Sequence, residues 1–91
     1  MHNKVVVITG GTSGIGKALA ETFGTRGSKI FITGRNIDEL NKTLRDLHNA
    51  GITAAGMQAD VSIEDDNRRM AAMVMETYGT IDVLINNAGI S

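Results

Sequence analysis

Short apolar runs alternate along this chain with longer stretches in which apolar residues recur every three or four positions. The first run, Val5-Val6-Val7-Ile8, is continuous and β-branched. That is the pattern of a strand buried on both faces, as in a parallel sheet. It ends in glycines and gives way to a helix predicted over 14–25, with Ile15, Ala18, Leu19, Thr22 and Phe23 at helical spacing and Gly27 as the stop. A second strand is expected at 29–33. The next helix begins near Asn36, with Asn36 or Asp38 as cap, carries Ile37, Leu40, Leu44 and Leu47 on one face, and ends at Gly51. A third strand at 53–59 is less hydrophobic and suits a sheet edge. Ser62 followed by Asp65 is a capping-box-like start for a third helix that ends at Gly79. A fourth strand is expected at 82–86.

Strands alternating with helices imply an α/β fold with a parallel sheet. Right-handed crossovers then fix the topology. Two crossovers outward put the first two helices on one face, and the return to the first strand puts the third helix on the other. The expectation is a three-layer half of a doubly wound fold, with four parallel strands in the order 3-2-1-4. Residues 1–91 form one domain, and no linker or repeat divides them.

Composition narrows this only modestly. The net charge is −1, so no field favours nucleic acid or an anionic membrane. Cysteine is absent, which removes disulfide and thiolate chemistry. The first apolar run is too short for a signal peptide or a membrane span, so a soluble, cytoplasmic protein is expected. His2 and His48 have no partners at metal-ligand spacing, and no metal site is expected.

The chemistry concentrates where the first strand ends. Glycine lets a backbone turn through positive φ and lets a phosphate approach it closely. The helix that follows aims unpaired N–H groups and the positive end of its dipole at that phosphate. Gly10, Gly14 and Gly16 are expected to line the crevice, with the amides from Ser13 through Ile15 to Gly16, and the Ser13 hydroxyl, on a pyrophosphate. One rival is a phosphate loop of the ATP- and GTP-binding kind, Gly11-x4-Gly16-Lys17. The next residue there supplies a hydroxyl to magnesium, and this chain has Ala18.

Four elements read together are more specific. Thr9-Gly-Gly-Thr12-Ser-Gly-Ile-Gly16 resembles the TGxxxGIG signature of short-chain dehydrogenases/reductases. Asp60-Val61 resembles that family's adenine-contacting pair, and Asn86-Asn87-Ala88-Gly89 matches its NNAG motif. Gly34-Arg35-Asn36 falls where the family reads the cofactor's ribose. The resemblance implies that the Asp60 carboxylate accepts from the adenine amino group and that Val61 offers an amide; otherwise Asp60 is a loop carboxylate beside Ser62. Asn86 and Asn87 are divided between gluing neighbouring strands and contacting ribose. Ala88 and Gly89 are small, which leaves room for that ribose. An acidic residue at the end of the second strand would bind both ribose hydroxyls and repel a 2′-phosphate. Gly34 stands there instead, followed by Arg35, whose guanidinium fits a phosphate. NADP is therefore the expected cofactor, unless Arg35 is only a solvated charge.

The resemblance also implies hydride transfer between NADP(H) and an alcohol or carbonyl. The family uses a downstream Ser, a Tyr-x-x-x-Lys pair and a further Asn for it. Tyr78 is the one tyrosine here, and Asp82 stands four residues on, where Lys is required. No catalytic residue is assigned. The expectation is an amino-terminal cofactor-binding half that does not turn over by itself. The alternative is a self-associating module with vestigial nucleotide binding. Either way the fourth strand is an open edge, and a homodimer through it, or by exchange of terminal elements, is expected.

Overall fold

The structure is a computed structural model that describes residues 2–88. Its elements run β1 (Val5–Thr9), α1 (Gly14–Thr25), β2 (Lys29–Gly34), α2 (Ile37–Asn49), β3 (Ala54–Gln58), α3 (Glu64–Tyr78) and β4 (Val83–Asn86). The strands form one parallel sheet in the order β3-β2-β1-β4. Val6 lies opposite both Ile30 and Val83, so β1 sits at the centre of the register.

Every residue of β1 is buried, as its unbroken apolar run requires. Val6, Ile8, Ile30 and Ile32 face α1 and α2, where Ala20, Leu40 and Leu47 complete one core. Val5, Val7 and Phe31 face α3 and meet Met70 and Val74 in a second. Two helices therefore cover one face and one helix the other, as the crossover rule dictates. The amino end of β4 is held by Asp82, whose carboxylate accepts from the Val5 amide at 2.8 Å. Among the described residues no helix is long and apolar enough to cross a membrane.

Three local expectations differ from what is found. The core-facing side of α1 is carried by Gly16 and Ala20, with Leu19 and Phe23 flanking, while Ile15 is 61% exposed. In α2, Ile37 is exposed and Thr43 is buried in its place, because Leu40 and Leu47 set the angle of the helix on the sheet. The α3 start is not capped by Ser62. Its N-cap is Ile63, which has no side-chain cap bond, and the Ser62 hydroxyl instead donates to Asp60 at 2.6 Å.

Candidate functional site

All four strands end at one rim, and the side chains there derive from how β1 turns into α1. Gly10 takes φ 66°, a conformation open to glycine at little cost. Ser13 then caps α1: its hydroxyl accepts from the Gly16 amide at 3.1 Å and donates to the Gly10 carbonyl at 3.0 Å. Gly16 lies against that same carbonyl, and a Cβ on it would come within 2.3 Å of the Gly10 oxygen. Asn87, only 2% exposed, closes the turn from β4 by donating from Nδ2 to the Gly10 carbonyl and to Ser13 Oγ, at 3.0 and 2.9 Å. Thr9 joins the same strands, its hydroxyl 3.0 Å from Asn86 Oδ1 and accepting from the Ala88 amide.

Two of the amides expected to face a pyrophosphate are therefore already used, those of Gly16 (to Ser13 Oγ) and Ser13 (to the Gly10 carbonyl). The Ser13 hydroxyl is likewise a cap rather than a free donor. The amides of Thr12, Gly14 and Ile15 have no partner among the described residues. They are the unsatisfied N–H groups that a helix start presents.

A cavity of about 580 Å³ opens over this corner. Gly10, Thr12 and Ser13 line it from the first corner, and Gly34, Arg35, Asn36 and Glu39 from the second. Asp60, Val61 and Ser62 follow from the third, with Asn86 and Ala88 from the fourth. Gly14, Ile15, Gly16 and Asn87 do not line it, contrary to expectation: the cap and the Asn87 clamp hold Gly16 and Asn87 in the interior, and Gly14 and Ile15 are exposed on the first turn of α1. Gly89 lies outside the described residues. Glu39 was missed by sequence reasoning, although an acid in the first turn of a capped helix is a legible signal. Thr9 was missed as a working side chain; a hydroxyl ending an otherwise apolar strand is the cue.

At the third corner Asp60 is gripped from both sides. Its amide donates to Asp66 Oδ2 at 2.8 Å, and its Oδ1 accepts from the Ser62 hydroxyl and amide. Those two Ser62 bonds, with Arg35 nearby, hold the Asp60 carboxyl below its ordinary range. It is therefore an anion, an acceptor only, at neutral pH. Arg35 is exposed and makes no ion pair among the described residues, and its own carbonyl accepts from Gln58 Nε2 at 2.9 Å.

Two other candidates are placed elsewhere. Lys17 pairs with Asp46 on α2 at 2.6 Å, so it does not reach the cavity as the lysine of an ATP-type phosphate loop would. Tyr78 donates its hydroxyl to the carbonyl of Ile30 at 2.9 Å, near the amino end of β2. That is the opposite end of the sheet from the cavity, and burial pushes the phenol up in pKa.

The sequence matches the short chain dehydrogenase family over residues 4–91. The chain belongs to that family. It is 40% identical over 87 residues to a putative ketoacyl reductase of Streptomyces coelicolor, covering 96% of this chain and 33% of that one. The crystal structure of an F189W actinorhodin polyketide ketoreductase with NADPH superposes with a TM-score of 0.93 at 38% identity, over 97% of this chain and 35% of that chain. A short chain dehydrogenase/reductase from Burkholderia phymatum in complex with NAD gives 0.88 at 32% identity, over 91% and 30%. The chain thus spans about a third of the length of these relatives.

Proposed function

We propose that this short chain dehydrogenase chain is the dinucleotide-binding half of an oxidoreductase and holds NADP(H) in the cavity at the carboxyl ends of its strands. The observation that supports this most is that one cavity is lined by Thr12, whose amide has no partner among the described residues, and by Arg35, which makes no ion pair among them. Amides of that kind suit a pyrophosphate, and a guanidinium suits a terminal phosphate. Asp60 and Val61 take the adenine end, with Asn86 and Ala88 beside the ribose. Asn87 serves as the clamp that shapes the loop. When bound, the cofactor supplies or receives the hydride in exchange with an alcohol or carbonyl. Relatives are known with NADPH and with NAD, so the choice between them rests on Arg35. Calorimetric titration with NADP, NAD and adenosine 2′,5′-bisphosphate tests the reading. NADP and the bisphosphate are expected to bind, and NAD more weakly by roughly tenfold or more, the worth of a charge-assisted contact. A folded protein that binds none of them overturns it.

A second reading concerns self-association. Leu84 on β4 is 56% exposed, and Met73, Met75 and Ile81 are exposed as well. The outer edge of β4 has no neighbouring strand among the described residues. An uncovered apolar edge of this kind pairs with another chain. A homodimer joined at β4 is expected in light scattering at high micromolar concentration, and Leu84→Lys is expected to return it to monomer. A compact wild-type monomer under those conditions counts decisively against it.

A further inference from the structure

We propose that Asp66 and Asn67, on the first turns of α3, are positioning residues: they grip the backbone of the third corner so that one carboxylate oxygen of Asp60 and the Val61 amide are left to a base, which makes the corner accept adenine and reject its deaminated form. This rests on the placement of adenine at Asp60 and Val61 proposed above and adds the residues that make that placement selective.

The start of α3 lacks the usual device. Its N-cap is Ile63, which offers no side-chain bond. The polar side chains of the first turns reach back past the helix instead. Asp66 Oδ2 accepts from the Asp60 amide at 2.8 Å, and Asn67 Nδ2 donates to the Val61 carbonyl at 2.8 Å. Between these two bonds, the Ile63 amide donates to the Asp60 carbonyl at 3.0 Å. The peptide that carries the Val61 amide is thus held at its own carbonyl, and the peptides before and after it are held by Asp66 and Asn67. Both side chains ride on a fixed support, because Met70, one turn beyond Asp66, is buried against the sheet.

The hydrogen-bond account of the corner then leaves little over. The amides of Asp60, Ser62 and Ile63 are engaged, and the Val61 amide has no partner among the described residues. Asp60 Oδ1 takes both Ser62 bonds, while Oδ2 takes none among the described residues. One donor and one acceptor on adjacent residues complement adenine, whose amino group donates beside a ring nitrogen that accepts. Hypoxanthine reverses both: a carbonyl oxygen would meet the carboxylate, and a ring N–H would meet the amide. Asp66 sharpens this choice. It occupies the Asp60 amide, the second donor that a carbonyl-bearing base could otherwise use.

Titration calorimetry with NADP and its hypoxanthine analogue tests the proposal on wild type, Asp66→Ala, Asp66→Asn and Asn67→Ala. The quantity read is the ratio of the two affinities, because a general loosening of the fold weakens both ligands alike. Wild type is expected to prefer the adenine form by about tenfold or more, the worth of a hydrogen bond to a charged group. Asp66→Ala and Asn67→Ala are each expected to bring that preference down to about threefold or less, as the corner relaxes and the donors become interchangeable. Asp66→Asn still offers an oxygen to the Asp60 amide and is expected to keep the wild-type ratio; its lost ion pair with Arg69 is to a largely exposed side chain and contributes little. The positioning role is overturned if either alanine variant keeps the wild-type ratio, or if Asp66→Asn loses it as fully as Asp66→Ala. An Asp66→Ala chain that does not fold leaves Asn67→Ala to decide. A wild-type chain that binds both dinucleotides alike, or neither, is a different failure: it removes adenine from this corner, and the positioning role with it.

Discussion

Replacing Arg35 by alanine is expected to weaken NADP binding by roughly 10- to 100-fold and to change NAD binding less than about twofold, because a charge-assisted contact to a phosphate contributes about 1.5–3 kcal/mol net. The argument is one of difference. The two dinucleotides share everything except the ribose phosphate, so donors that touch only the shared parts act on both alike. Arg35 makes no ion pair among the described residues, so its removal leaves no carboxylate newly unpaired. Its side chain is exposed, so the preference is expected to shrink as salt is raised, through screening over about 8–10 Å at ordinary ionic strength. Calorimetric titration of both cofactors at two salt concentrations provides the check. Equal losses for NADP and NAD would show that Arg35 reads no phosphate.

A second large effect is structural. Gly16→Ala places a methyl 2.3 Å from the Gly10 carbonyl oxygen, 2.8 Å from Asn87 Nδ2 and 2.9 Å from Gly11 Cα. Two of these are backbone atoms, and Asn87 Nδ2, though a side-chain end, is held by its bonds to the Gly10 carbonyl and Ser13 Oγ, so the turn, the Ser13 cap and the Asn87 clamp must all move. The expected cost is about 3 kcal/mol or more, the upper range for overpacking. For a domain of this size that lowers the melting temperature by roughly 12–24 °C. Gly14→Ala is the matched control from the same motif, because a Cβ there meets nothing within 4 Å. It is expected to be neutral or to stabilise by up to about 1 kcal/mol through helix propensity. Thermal unfolding of the two variants side by side separates the glycine that packing requires from the one it does not. Similar melting temperatures would refute the proposed close approach.

Much of the architecture was legible because periodicity and chirality act through the whole chain. The unbroken run at Val5–Ile8 demanded burial on both faces, the doubly wound pattern supplied the order β3-β2-β1-β4, and the crossover rule then set which helices share a face. The phase of α1 was misread for a simple reason. Large apolar residues were weighted over small ones, whereas the face against the sheet is carried by Gly16 and Ala20, which let the helix approach closely. The same bias placed Ile37 inside. At the site, sequence could name the residues of each corner but not divide the hydrogen bonds among them. Ser13 looked like a ligand group and Asn87 was divided between strand glue and ribose contact, yet both satisfy the loop's own backbone. That division depends on contacts between positions more than 70 residues apart, which no local pattern encodes. Ser62 misled in the opposite direction: a cap was read where the hydroxyl instead turns back on Asp60.

The central position of β1 also bears on how the protein is made. Its inner neighbour, β2, follows after one helix, but its other neighbour, β4, is the final strand among the described residues. A ribosome therefore delivers the most apolar strand more than 70 residues before the segment that seals its second flank. Until then one side of Val5–Thr9 stays bare, the kind of nascent-chain exposure that chaperones screen. Assembly of the sheet thus waits on a segment made long after its central strand.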